Sequence, residues 1–213
     1  MFNTVQKFVE IDPDPDQGGS LSYLLTKKPV ANPLKISPLY FQVADVDAFL
    51  RIQDKVRPHL LKPYHLKERT AEDIHEHLGE RMPIIGARAY TNELDPGTPV
   101  AGCLLSFLKN HDSGSTAIKN LNGYPITNPE KPVTAIVQSL CVDPAYAGNK
   151  IASIILDTAK QCAQQHGITQ IISAIADDNT PSIKAFKAAG YDAFGHGTDP
   201  VIGYEKTYYR LTL

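Results

Sequence analysis

The sequence predicts a mixed α/β domain, and three observations carry that reading. The first is the stretch from Thr134 to Ala163, which reads as one buried strand, one tight turn and one amphipathic helix. The second is a pair of apolar runs, 83–90 and 99–108, separated by a turn containing Asp95-Pro96-Gly97, the signature of an antiparallel hairpin. The third is the alternation of elements along the chain, β-α-α-β-β-β-α-β-α-β, with no internal repeat and no heptads.

Composition bounds the rest. The chain has 213 residues, an apolar fraction of 42% and a net charge of −2. That suffices for one large domain with a sizeable core. It offers no electrostatic case for nucleic acid or an anionic membrane. No apolar run approaches the roughly 20 residues that span a bilayer, and MFNTVQKFVEIDPDPD lacks the pattern of a secretory signal. The three cysteines, Cys103, Cys141 and Cys162, have no metal-like spacing. Each sits in an apolar pattern and reads as a small buried hydrophobe, which fits a reducing cytoplasm.

Taken in order, residues 1–36 read as an extension. VQKFVEI and LSYLLT flank the turn-rich DPDPDQGG and suggest a hairpin arm, and KKPVANPLKISP reads as a proline-punctuated connector. Residues 37–213 form the main domain. A short strand near Tyr40 leads to a helix with Val46, Phe49, Leu50, Gln53 and Val56 on one stripe and Asp45 as N-cap. Thr70 and Asp73 form a capping box, with Asp in the usual place of Glu, and open a helix burying Ile74 and Leu78. His75, Glu76 and His77 lie on that helix. Histidines two apart point to different sides, unlike the i, i+4 pair of a helical zinc site, so they read as a solvated face and no metal is expected.

The hairpin follows, and then a polar segment, 109–132, rich in Gly, Asn, Pro and Ser. Loops of that length are usually functional or mobile. Ile136, Val137, Leu140 and Val142 make the next strand β-branched and apolar, and Asp143-Pro144 ends it. Ala147, Gly148, Asn149 and Lys150 turn into a helix with Ile151, Ile154, Ile155, Ala159, Cys162 and Ala163 on one face. Such a helix start binds anions, because its first N–H groups lack intrahelical partners and the macrodipole is positive there. Residues 168–175 form another buried strand. Residues 180–189 form a helix with Pro181 in its first turn and Gly190 past its end. The chain closes with an aromatic-rich strand, YEKTYYRLTL.

These residues resemble the GNAT superfamily of acyl-CoA-dependent N-acyltransferases. The resemblance covers roughly 37–213. Its motifs are Leu140-Cys141-Val142 ending a strand, the turn and helix start from Ala147 to Ala152, and the later set Asn179, Ser182, Phe186, Gly190 and Tyr191. It implies a mostly antiparallel central sheet flanked by helices and splayed at the acyl-CoA-binding strand. It implies acetyl-CoA, or another acyl-CoA, as co-substrate and an amine of a small molecule or protein as acceptor, in a monomer or homodimer. The pantetheine arm would pair with the main chain at Leu140, Cys141 and Val142. The Leu140 N–H would polarise the thioester carbonyl. The pyrophosphate would sit on the N–H groups of Ala147, Gly148, Asn149, Lys150, Ile151 and Ala152. Asn179 would cap its helix and bind pantetheine, with Ser182 further off and Phe186 near the sulfur.

Three departures matter. Ala147 stands where the family usually has Arg or Gln, Lys150 where it has Gly, and Phe186 where many members have a Tyr that protonates the thiolate. Lys150 is expected to point outward. The strand carries Ile136 and then Gln138 where some members carry a carboxylate base. General acid and base are therefore open, with Tyr204, Tyr208, Tyr209, His111 and Glu93 as candidates. The absence of catalytic groups also leaves a non-catalytic acyl-CoA sensor or scaffold as the alternative reading.

Overall fold

The structure, a computed structural model, describes residues 7–8, 22–24, 35–79, 82–90, 97–108 and 133–213. The strands are β1 (Lys7–Phe8), β2 (Ser22–Leu24), β3 (Lys35–Phe41), β4 (Ile84–Tyr90), β5 (Thr98–Phe107), β6 (Thr134–Val142), β7 (Gln170–Ala176), β8 (Asp192–Thr198) and β9 (Glu205–Thr212). Among the described residues the helices of two or more turns are α1 (Val46–Val56), α2 (Ala71–Gly79), α3 (Ile151–Gln165) and α4 (Thr180–Ala188). The described strands form one sheet in the order β1-β2-β3-β4-β5-β6-β7-β9-β8. Every pairing is antiparallel except β6 with β7, which the α3 crossover joins in parallel. The predicted mixed, mostly antiparallel sheet flanked by helices is therefore the architecture observed. No described helix is long and apolar enough to cross a membrane.

Two layers of side chains cover the sheet. On one face, Ile154, Ile155, Ala159 and Ala163 of α3 and Phe186 of α4 pack on Ile85, Leu105, Val137, Ile171 and Ile175. On the other, Val46, Phe49 and Ile52 of α1 and Ile74 of α2 pack on Phe41, Ile84, Leu104 and Cys141. All three cysteines are free and buried, as their apolar surroundings predict. The second layer depends on two glycines directly opposite one another, Gly86 on β4 and Gly102 on β5. Phe41 lies over the first, and Phe49 closes on the second so tightly that an added Cβ would sit 2.8 Å from its ring. Gly102→Ala is therefore expected to overpack this layer and cost about 1–3 kcal/mol, lowering Tm by roughly 5 °C. A melting curve that matches the parent would show that Phe49 yields without cost.

Several local expectations hold in detail. Thr70 N–H donates to Asp73 Oδ2 at 2.9 Å and Asp73 N–H to Thr70 Oγ1 at 3.1 Å, a reciprocal capping box built with aspartate. Others are corrected. Asp45 makes no side-chain cap bond to α1. Its carboxylate instead accepts from the Gln42 N–H behind it at 2.9 Å and pairs with Arg88. The α1 stripe includes Ile52, which the pattern missed. His77 is not solvated. It is buried, with Nε2 3.2 Å from the carbonyl of Pro83, while His75 and Glu76 are exposed.

The proline-rich connector ends in β3, which begins at Lys35 and runs through Pro38. Among the described residues β2 pairs β3 at Lys35 and Ile36, and Pro38 lies beyond that ladder, where a proline costs no β2 hydrogen bond. Strand β8 is an element that the sequence pattern does not predict. Its sequence, DAFGHGT, has two glycines and little apolar alternation, and it forms only as the sheet edge beside β9.

Candidate active site

The site begins where β6 and β7 stop pairing. Their parallel register covers Thr134↔Gln170, Ala135↔Ile171 and Ile136↔Ile172 only. Ser173 Oγ donates to the Val137 carbonyl at 3.0 Å as the last tie. Beyond it the strands part, as the predicted splay requires, and open a cleft of about 380 Å³. One wall is Gln138, Ser139 and Leu140, and the opposite wall is Ala174, Ile175 and Ala176. Asn179, Ser182 and Phe186 line it from α4.

A bulge shapes the first wall. Gln138 faces Leu104 and Cys141 faces Gly102, so Ser139 and Leu140 together oppose Cys103. Ser139 takes φ of 52°, in the left-handed region. A non-glycine residue there costs on the order of 1–3 kcal/mol and persists only where its surroundings enforce it. The enforcing group is Arg69, which is almost wholly buried. Its Nε donates to Ser139 Oγ at 3.2 Å and its Nη2 to Gln138 Oε1 at 2.6 Å. One planar fork thus grips two consecutive side chains of the bulge. Arg69 was not singled out from the sequence, although it immediately precedes the Thr70 capping box, which fixes its backbone.

The strand continues past the cleft. Cys141 is buried, with Sγ donating to the Gly102 carbonyl at 3.6 Å, and burial pushes its thiol up to about 12. Cys141 can therefore offer a ligand only main-chain groups. Asp143, also buried, caps the turn that follows. Its Oδ1 accepts from Ala145 N–H at 2.9 Å and its Oδ2 takes Lys55 Nζ of α1 at 2.7 Å. The turn then needs two left-handed residues, Gly148 at φ 82° and Lys150 at φ 58°. The latter explains the glycine usual at this point in similar sequences. Lys150 is exposed, and its carbonyl accepts from Ser153 and Ile154 at 3.0 and 3.2 Å. The N–H groups of Ile151 and Ala152 precede any intrahelical acceptor. Ala147 and Gly148 are exposed beside them, and nothing lies within 4 Å of a Cβ built on Gly148. The turn at 147–152 is thus an open helix N-terminus outside the cleft proper, at the end of the same strand.

Asn179 does cap α4, with Oδ1 accepting from Ser182 N–H at 3.3 Å. Its Nδ2 donates to the carbonyl of His65 at 3.3 Å, so it also binds the α1–α2 connection to the cleft. Ser182, expected to stand off, lines the cleft. Phe186 is buried at the cleft wall and meets Tyr191 edge-on at 4.9 Å.

The 64–69 segment supplies a wall that sequence reasoning missed. Asp178 accepts from Tyr64 Oη and pairs with His65 Nε2, each at 2.7 Å. Those two bonds, Tyr64's first, hold its carboxyl below the usual range. Tyr64 stacks on Tyr204 at 4.5 Å, closing the rim. Burial, then Asp199, pushes the Tyr204 phenol up, so it is protonated across the physiological range. Lys206 Nζ reaches Asp199 Oδ2 at 3.2 Å inside the cleft. Among the other candidates, Tyr208 is buried beneath Lys206, whose Nζ lies 5.8 Å from its ring centre, and it does not line the cleft. Tyr209 packs in the α3 layer. His111 and Glu93 lie outside the described residues.

The model of the acetyltransferase (GNAT) family matches residues 50–191. No curated protein matches. Among solved structures, similarity extends to a GNAT superfamily phosphinothricin acetyltransferase from Sinorhizobium meliloti in complex with acetyl-CoA, at TM-score 0.60 and 14% identity, covering 84% of this chain and 88% of that one. A ribosomal-protein-alanine N-acetyltransferase from Brucella melitensis aligns at TM-score 0.59 and 16% identity, over 83% and 99%. An N-acetyltransferase from Staphylococcus aureus Mu50 aligns at TM-score 0.59 and 17% identity, over 83% and 98%. At these identities the structural likeness speaks for the fold.

Proposed function

The chain belongs to the acetyltransferase (GNAT) family, and from that premise we propose that it moves an acetyl group from acetyl-CoA to the amine of a small molecule. The observation that carries the reading is the parting of β6 and β7 beyond Ile136, with the bulged Ser139-Leu140 on one side and an open helix N-terminus at the end of the same strand. A pantetheine arm entering that gap adds to the edge of β6 at Leu140 to Val142. The phosphates then fall on the N–H groups of residues 147–152. The phosphinothricin acetyltransferase crystallised with acetyl-CoA supports the choice of donor.

The reaction is direct attack. The amine lone pair forms a C–N bond to the thioester carbon. The carbonyl oxygen gathers charge opposite the Leu140 N–H. The C–S bond breaks, and the proton lost by nitrogen ends on the CoA sulfur. Phe186 cannot supply that proton, which leaves water or the protonated Tyr204 phenol at the cleft rim to do so. We assign this activity to residues 37–213, with 1–36 as an extension, in a cytoplasmic protein.

The test is binding and turnover together. Calorimetry should find acetyl-CoA bound, and Lys150→Glu should weaken it by about tenfold at low salt, because two units of charge change beside the pyrophosphate. The gap should shrink at high salt as screening sets in. Free CoA should appear when amines are added. No acetyl-CoA binding would sink the reading. Binding without CoA release on any amine would return the sensor alternative.

A further inference from the structure

The cleft has a charge that the donor does not explain. Lys67, Arg69 and Lys206 all line it, against one lining carboxylate, Asp199, among the described residues. Asp199 is engaged by Lys206 and by the N–H groups of Val201 and Ile202 at 3.1 Å each. Asp178 at the rim is taken up by Tyr64 and His65. Asp73 and Asp199 both act on Lys67 by charge, each less than burial and Arg69 do.

The register gives the side of the sheet on which this charge lies. Directly opposed residues on neighbouring strands share a face. Ile172 faces Arg210, Ala174 faces Tyr208 and Ala176 faces Lys206. Ile172 packs with Ile136 and Phe194, and Gln138 follows Ile136 by two residues on the same face. Arg69 reaches Gln138 there. Val137, Ile171 and Ile175 point the other way, under α3. Arg69 and Lys206 therefore stand on the face of the sheet opposite α3, whose N-terminus is the proposed phosphate site, and Lys67 lines the same cleft close to Arg69. Positive charge gathered there does not serve the pyrophosphate.

We propose that the acceptor is a small amine carrying a carboxylate, of the amino-acid class, bound through that carboxylate by Lys67 together with the Arg69–Lys206 field. The inference rests on the N-acetyl transfer reading above. The cleft volume of about 380 Å³ suits a small molecule. The same field does a second job. Lys67 is itself pulled below the usual lysine range by burial and then by Arg69. A substrate ammonium brought beside these cations loses its proton more readily, so the neutral amine is favoured without a carboxylate base on β6. A polyamine or other polycationic acceptor is repelled for the same reason.

The experiment uses matched acceptors with the full chain: each proteinogenic amino acid, its carboxamide and its decarboxylated amine, with CoA release as readout. The best free acid should exceed its carboxamide at least tenfold in kcat/KM. Lys67→Gln should erase most of that preference through KM while leaving acetyl-CoA affinity unchanged. Carboxamides, decarboxylated amines or diamines that match or outperform the acids would overturn it, as would a Lys67→Gln loss equal for acid and carboxamide. Calorimetry supplies a second readout that needs no turnover. N-acetylated acids titrated into CoA-saturated protein should bind more tightly than N-acetylated carboxamides. Equal affinity, or no binding by either member of any pair, would count against it. A clear preference for acids in binding with no CoA release would leave this inference standing and remove the catalytic reading instead.

Discussion

Arg69→Met is expected to lower kcat by about 100-fold while acetyl-CoA affinity stays within about threefold. Ser139 holds a left-handed backbone within a bulge, and the neighbouring Leu140 N–H is where the thioester oxygen would sit. The guanidinium grips Ser139 Oγ and Gln138 Oε1 at once. Methionine keeps the volume but frees both partners, so the bulge relaxes and the donor moves. A displacement near 1 Å is enough for a loss of this size. Arg69→Lys should not restore activity, since a single ammonium cannot reproduce the fork. The effect separates from that of Lys67→Gln because it falls on kcat for carboxylate and carboxamide acceptors alike, while the lost charge adds a rise in KM for carboxylates only. Steady-state kinetics at saturating acetyl-CoA, with calorimetric binding, decides the matter. An unchanged kcat would mean that the bulge holds its shape without the clamp.

Arg69 also marks the limit of what the sequence discloses. Strand β6, the 147–152 turn and the caps at Thr70 and Asn179 were legible because each is local: a β-branched run, a glycine before a helix, a polar side chain reaching three residues on. The register of β6 was not. Nothing in TAIVQSLCV announces that Ser139 and Leu140 share one partner, because the bulge is enforced by a side chain 70 residues away. The cation-lined wall is invisible for the same reason. Lys67, Arg69, Asp199 and Lys206 come from the approach to α2, the β8–β9 connection and β9, and only the sheet brings them to one face. Strand β8 escaped because its glycines carry no periodic signal and its ladder comes entirely from β9. Lys150 shows the opposite case. Its departure from the family pattern was plain in the sequence, but its cost became specific only with φ at 58°. Asn179 stands between. Its cap was expected, whereas its second bond, to the His65 carbonyl, joins two sides of the cleft and has no local signature.

Phe186→Tyr should raise kcat by about tenfold, the second large effect expected of a single substitution. The ring already forms part of the cleft wall, anchored edge-on against Tyr191 at 4.9 Å. A hydroxyl at its tip would stand where the CoA thiolate departs, and a positioned acid contributes typically 10²–10⁴-fold where protonation limits the rate. Only part of that is recoverable here, because the parent already protonates the thiolate by water or Tyr204 and the added group has not been oriented by its surroundings. The new phenol should stay protonated well into alkaline pH. Burial pushes the neighbouring Tyr204 and Tyr191 upward, and the same desolvation acts at 186. The gain should therefore persist up to about pH 9 and fade only as the phenol ionises. Two measurements test it: the pH profile of kcat, and the solvent isotope effect, which should be smaller in the variant than in the parent. If kcat is unchanged and folding is intact, loss of the thiolate is not the slow step. The catalytic deficit implied by phenylalanine at this position then lies with the amine, where the field of Lys67, Arg69 and Lys206 would have to set the rate.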